Sequence, residues 1–159
     1  MRSYWIPFVF LAMVMAAGAA GEDSGEVTVI TSDRLTYDAK KQYAFFEGDV
    51  VVTDPEMKLT ADEMTVRFSE ESDVETITAK GHVIITQLDK RAESGRATYV
   101  VATGEIVLED EPVVRRGKDL LEGEKITFWR DENKMVCEPQ ARLVIFPEKG
   151  GTRDQLFGE

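Results

Sequence analysis

From Val27 onward, apolar and polar residues alternate along the chain. Leu35 and Tyr37 flank Thr36; Met64, Val66 and Phe68 interleave with Thr65 and Arg67; Ile77 and Ala79 interleave with Thr78 and Lys80. A period of two over short runs rich in Val, Ile, Thr, Tyr and Phe predicts half-buried β-strands. No stretch of this region sustains a helical period. Turn signals recur at Asp38-Ala39-Lys40-Lys41, Gly48-Asp49, Asp54-Pro55, Ser69 to Asp73, Ala102-Thr103-Gly104 and Asp131-Glu132-Asn133. Strands at such short, regular spacing predict an all-β sandwich, roll or barrel.

The pattern also repeats. Ser32-Asp33-Arg34-Leu35-Thr36-Tyr37, Ala61-Asp62-Glu63-Met64-Thr65-Val66, Ser94-Gly95-Arg96-Ala97-Thr98-Tyr99 and Gly123-Glu124-Lys125-Ile126-Thr127-Phe128 share one form, with the Thr identical in all four. From Asp33 through Asp62 and Gly95 to Glu124 the spacings are 29, 33 and 29 residues. A period near 30 predicts about four stacked β-units. Each unit has a second half. Phe46-Glu47-Gly48-Asp49-Val50-Val51-Val52 matches Ala79-Lys80-Gly81-His82-Val83-Ile84-Ile85, with weaker echoes at Glu111 to Val114 and Gln140 to Ile145. Pro-containing turns replace the Gly in the weak copies, which suits an edge or an end.

Parity divides the faces. One carries Leu35, Tyr37, Ala44, Phe46, Val50 and Val52, then Met64, Val66, Phe68, Ile77, Ala79, Val83 and Ile85. It continues through Ala97, Tyr99, Val101, Ile106 and Leu108 to Ile126, Phe128, Leu143 and Ile145. The opposite parity carries Arg34, Glu63, Arg96, Lys125, His82 and the four repeat threonines. One wet face and one shared apolar interior are expected. Parity by itself does not separate a packed core from a groove.

The N-terminus changes the picture of where the chain works. Arg2 is followed by an uncharged apolar run, Trp5 to Ala20, that closes in small residues with Ala17-Gly18-Ala19 in the A-x-A pattern. This predicts a secretory signal peptide over residues 1–20. A membrane anchor is the competing reading, yet about 16 apolar residues is short against the ~20 a spanning helix needs. The remainder reads as one domain over 27–146 and a loosely ordered tail over 147–159. The chain of 159 residues carries a net charge of -11, which repels the phosphates of nucleic acid. Cys137 is the single cysteine, so no internal disulfide holds the fold, and a small buried hydrophobe is its simplest role.

No catalytic constellation emerges, and no cofactor or metal is expected. His82 is the single histidine, on the polar parity beside Gly81, and reads as structural. Asp33 and Asp62 resemble the paired carboxylates of a glycosidase, but Gly95 and Glu124 occupy the same repeat position, so a turn role is simpler. The sequence reads as a non-enzyme.

The block Phe45-Phe46-Glu47-Gly48-Asp49-Val50-Val51-Val52-Thr53, then Met57-Lys58-Leu59-Thr60-Ala61-Asp62-Glu63-Met64, resembles the LptA/OstA-like family of periplasmic lipopolysaccharide-transport bridge proteins. So does Leu121-Glu122-Gly123-Glu124-Lys125-Ile126-Thr127-Phe128 with Asn133-Lys134-Met135. The resemblance runs from about Thr31 to Phe146 and implies an open, twisted antiparallel β-roll of the β-jellyroll kind. It implies partners too: lipopolysaccharide with its acyl chains inside, an inner-membrane transporter complex, an outer-membrane translocon, and further copies joined head to tail. Acyl-chain contact then falls to the larger inward positions above, Leu35 through Ile145 without the alanines and Val101. The joining edges fall at Val27 to Thr31 and Arg142 to Phe146. The chain departs from the family pattern at Gly95, Glu124 and Glu111-Pro112, which weakens the third repeat. Arg115-Arg116-Gly117-Lys118 could touch lipid phosphates, with a solvated loop as the simpler reading. A membrane-anchored subunit shares this fold, and a lipid-free adaptor joined through strand edges is the alternative of a different class.

Overall fold

The computed structural model describes residues 27–55 and 57–147; the expected signal sequence, and the expected tail beyond Pro147, lie outside them. The described residues form twelve strands: β1 (Val29–Thr31), β2 (Arg34–Asp38), β3 (Tyr43–Thr53), β4 (Met57–Phe68), β5 (Val74–Gln87), β6 (Lys90–Val100), β7 (Glu105–Glu109), β8 (Val113–Arg116), β9 (Asp119–Glu122), β10 (Lys125–Trp129), β11 (Lys134–Glu138) and β12 (Arg142–Val144). No helix occurs among the described residues.

The pairing reduces these to eight long ribbons in a plain antiparallel meander. β3, β4, β5 and β6 run the full length of a ribbon. The other four are made of two pieces each: β1 with β2, β7 with β8, β9 with β10 and β11 with β12. In every case the two pieces bond to the same neighbouring ribbon. Two successive ribbons make one sequence repeat, which is the origin of the period near 30.

Every ribbon bends at its middle. The bend in β3 is a bulge between Glu47 and Val50, and that in β5 lies between Lys80 and Val83. Gly48 and Gly81 each take φ 77°, followed by Asp49 at 43° and His82 at 47°. Glycine is the default residue for such left-handed backbone. The bends align into a crease, and the halves on its two sides fold over one continuous apolar core. Strands that turn a corner at a bulge join two packed layers in this way.

The crease explains both the repeated Asp and its loss. A Cβ on Gly48 would strike the Asp33 carboxylate of the preceding ribbon, and one on Gly81 would strike that of Asp62. In the third repeat the roles exchange: Gly95 stands in the Asp position, and a Cβ on it would lie 2.5 Å from Cβ of Asp110. Asp110 and Glu111 take φ 61° and 58°, as Gly48-Asp49 do in the first repeat. The backbone N–H of Asp33 donates to Gly48 O at 2.9 Å, and that of Gly95 to Asp110 O at 2.8 Å. The third repeat is therefore not weakened, as its sequence suggested. In these three repeats the site has room for one Cβ, and either ribbon can supply it; in the fourth, Glu124 donates its N–H to Pro139 O at 3.3 Å and both residues carry a Cβ. Pro112 likewise marks no edge: it is buried at the break between β7 and β8, inside the sheet.

The repeated threonines share one outward row, Thr36-Phe45-Thr65-Thr78-Thr98-Val107-Thr127-Val136, read across the ribbons. Thr127 departs from the wet-face expectation. Val107 and Val136 flank it on neighbouring strands, and it is buried.

Candidate functional site

Residues paired across antiparallel strands point to the same side of a sheet. Following the register through all eight ribbons therefore traces the interior. In the first layer, one row runs Leu35-Phe46-Met64-Ala79-Ala97-Leu108-Ile126-Cys137. Beside it runs Tyr37-Ala44-Val66-Ile77-Tyr99-Ile106-Phe128-Met135. In the second layer, the row is Ile30-Val52-Leu59-Ile85-Ala92-Val114-Leu121-Leu143. Apart from the Tyr hydroxyls and the Cys thiol, these rows are hydrocarbon or thioether from one edge ribbon to the other.

Of the inward positions expected from parity, Phe46, Val50, Val52, Met64, Val66, Phe68, Ile77, Val83, Tyr99, Leu108 and Ile126 are buried. Ile85 and Ile106 pack partly buried against them, and Phe128 is half-buried. Four differ from the expectation of a covered interior: Leu35 and Tyr37 are 57% and 56% exposed, and Leu143 and Ile145 are 44% and 53% exposed. Leu35, Tyr37 and Leu143 keep the register of the inner face, but they lie on edge ribbons with a neighbour on one side only. Tyr37 meets Phe68 edge to face at 6.2 Å, so the aromatic lining continues out to the mouth.

Parity missed Met57, Leu59, Ala61 and Leu121, all buried. The first three are odd-numbered, whereas Met64, Val66 and Phe68 on the same strand are even-numbered. The phase resets at Asp62-Glu63, where β4 crosses the crease and both halves must face one core. The run Met57-Lys58-Leu59-Thr60-Ala61 does alternate by itself, and reading it apart from its continuation would have found it.

The edges lie where the sequence suggested. Among the described residues, β1 pairs only with β3, and β12 only with β9. Val29 and Phe146 are exposed beside them. Arg142 is tied to Glu122 at 2.6 Å, and the Phe146 N–H donates to Asp119 Oδ1 at 2.8 Å.

Buried polar chemistry is sparse: Ser94 on the inner face and Thr127 on the outer row are the buried polar side chains among the described residues. His82 is on the outside, its Nδ1 2.7 Å from Asp62 Oδ2 across the crease. Burial pushes the Cys137 thiol pKa up, and its Sγ contacts Glu122 O at 3.5 Å. No group of side chains suited to hold a metal ion occurs among the described residues. The basic cluster is not a simple loop. Arg115 and Arg116 end β8, and while Arg115 and Lys118 are exposed, Arg116 is largely covered. Its Nε donates to Asp89 Oδ2 at 2.8 Å, and this bond holds the Asp89 carboxyl below its ordinary pKa.

Known proteins share this architecture. The crystal structure of LptH from Pseudomonas aeruginosa, the LptA-homologous periplasmic component of a lipopolysaccharide transport device, superposes with a TM-score of 0.68. The match is 24% identical and covers 77% of this chain and 96% of that one. In sequence, the lipopolysaccharide export system protein LptH of the same organism is 29% identical over 138 residues, spanning 76% of this chain and 79% of the relative. The family model for LptA and the N-terminal domain of LptD, described as LPS transport proteins, matches residues 29–134, crossing the crease in every repeat. With that match over most of its length, this chain belongs to the LptA/LptD N-terminal domain family of lipopolysaccharide transport proteins.

Proposed function

We propose that this chain is a periplasmic lipid carrier and bridge. In this reading it shields the acyl chains of lipopolysaccharide in its interior on the way from inner to outer membrane. The observation that carries this is the continuity of the three apolar rows from one edge ribbon to the other, with exposed Leu35, Tyr37 and Leu143 at their ends. One acyl CH₂ is worth about 0.8 kcal/mol in an apolar site. A chain of about a dozen carbons therefore resists crossing water by roughly 10 kcal/mol on the same scale, and an uninterrupted hydrocarbon path removes that barrier without binding at any one point. The middle of the interior is closed: Val50, Val52 and Met64 have 0% exposure. Apolar contact between the layers is non-directional. The layers can part without losing ladder hydrogen bonds, and the entering acyl chains cover what is uncovered. No step of this role needs catalysis, and export would follow from a cleaved signal sequence.

The same rows support head-to-tail assembly by strand addition. A second copy that continues every row sets β2 of one copy against β11 of the other. Leu35 then meets Cys137 and Tyr37 meets Met135, while Arg34 faces Glu138 and Asp38 faces Lys134. Opposite charges directly across a strand pair are favourable. Charge reversal by Glu138→Arg should weaken self-association, and adding Arg34→Glu should restore it, as read by sedimentation.

The closed middle also favours a second reading, a lipid-free adaptor joined through the same edges. Photo-crosslinking in cells separates the two. A photoreactive residue at Phe46 should capture lipopolysaccharide, and one at Thr65, on the outer face, should not. A folded, exported protein giving no adduct at Phe46 would overturn the carrier reading in favour of the adaptor.

A further inference from the structure

The last inner row of the second layer runs Met57-Gln87-Lys90-Arg116-Asp119, so at the β5–β6 and β8–β9 tips the inner surface ends in charge. Val114 packs against the core, and Arg116, two residues along β8, leaves the strand on the same side. Its cross-strand neighbours are Lys90 on β6 and Asp119 on β9. The Arg116 side chain is only 23% exposed. Its Nε is bound to Asp89, while Nη1 is buried with no hydrogen-bond partner. A guanidinium offers five donors in a rigid fork, and leaving a buried charged donor unmet costs more than leaving a neutral one. The surroundings favour an anion. In a chain of net charge -11, the two adjacent tips gather Lys90, Arg91, Arg115, Arg116 and Lys118 against Asp89, Glu93 and Asp119. Arg91, on the outer face, is already paired with Glu93 at 2.6 Å.

We propose that Arg116, supported by Lys90, is a phosphate clamp on the rim of the lipid path. It would hold the phosphate monoester of an anionic amphiphile whose acyl chains lie in the interior. The proposal rests on the carrier reading and adds the group that grips the head. Two residues of β-strand span about 7 Å, so a headgroup at Arg116 sets its first acyl carbons beside Ala92 and Val114. A phosphate has oxygens enough to take Nη1 and the Lys90 ammonium together, and Arg matches that geometry in two-point fashion. Parting of the layers to admit acyl chains would uncover Nη1 at the moment the phosphate arrives.

The test is equilibrium binding of the purified protein to detergent-dispersed lipopolysaccharide and to the same lipid after dephosphorylation. It compares wild type, Arg116→Gln, Arg116→Lys and, as an outer-face control, Arg91→Gln. Wild type should prefer the phosphorylated lipid about tenfold, one charge-assisted contact's worth. Arg116→Gln should lose that preference through weaker binding of the phosphorylated form alone. Arg116→Lys should retain part of it, and Arg91→Gln all of it. Equal weakening of both lipids by Arg116→Gln would mark a packing role and overturn the clamp. Equal binding of both lipids by wild type would overturn the clamp and leave the carrier reading standing, whereas binding of neither would overturn both. Saturation of the lipid-free protein by millimolar inorganic phosphate, read as a shift of the Arg116 Nε–H resonance, would reassign the site to a free anion.

Discussion

The exchange of Gly and Asp across the crease can be tested by giving Gly95 a methyl group. Its Cβ would sit 2.5 Å from Cβ of Asp110, against about 3.5–4.0 Å for an optimal carbon contact. Both atoms are bonded directly to backbone, so no side-chain rotation relieves the overlap and the ribbons must shift. Such overpacking costs about 1–3 kcal/mol. Gly95 is not in the left-handed region, so alanine recovers about 0.4–1 kcal/mol by restricting the unfolded chain. Gly95→Ala should therefore be less stable by about 1–2 kcal/mol. Asp110→Gly removes the opposing Cβ and relaxes a residue held at φ 61°. Relief of about 1 kcal/mol roughly offsets the looser unfolded chain, so this variant alone should be close to wild type. The double variant should return to near wild type, a coupling of about 1–3 kcal/mol between sites in direct contact. Urea unfolding followed by far-ultraviolet circular dichroism measures all four proteins, and an unchanged slope confines the effect to stability. Wild-type stability for Gly95→Ala, or a double variant no better than Gly95→Ala, would refute the one-Cβ rule at the crease.

Met64→Ala, at a side chain with 0% exposure on an inner row, should cost about 2–5 kcal/mol, read as a lower urea midpoint. Asp89 should titrate below 3.8 in a carboxyl NMR experiment, because Arg116 donates to it, and should rise toward 3.8 in Arg116→Gln. A depressed folded-state pKa means this pair's stabilisation is present above the unfolded-state pKa and fades as pH falls through the folded one, so the variant should lose that acid-side dependence. Cys137, its thiol raised by burial, should react with iodoacetamide at pH 8 at least about tenfold more slowly in the folded protein than in urea, since only the accessible thiolate is nucleophilic.

Strand identity, the repeat near 30 residues and most of the interior were legible because they are local properties. Period two needs only neighbours along the chain, and an apolar parity set such as Phe46, Val50 and Val52 declares its own face. The paired edges were legible for a related reason: short apolar runs at Val29 and Leu143 open and close the alternating region. What the chain does not state locally is where each ribbon crosses the crease. There two layers share one core, so the inward phase resets at Asp62-Glu63, and Met57, Leu59 and Ala61 face that core on the opposite parity from Met64, Val66 and Phe68. The Gly95–Asp110 exchange is equally hidden, because the room for one Cβ is shared by residues on different ribbons. Burial of Thr127 follows from the valines that pairing sets on both sides of it, and exposure of Leu35 and Tyr37 from their having a neighbour on one side. The one-dimensional pattern determined which side of a strand is greasy; cross-strand pairing decided what that side meets, because contact across a sheet depends on residues tens of positions apart.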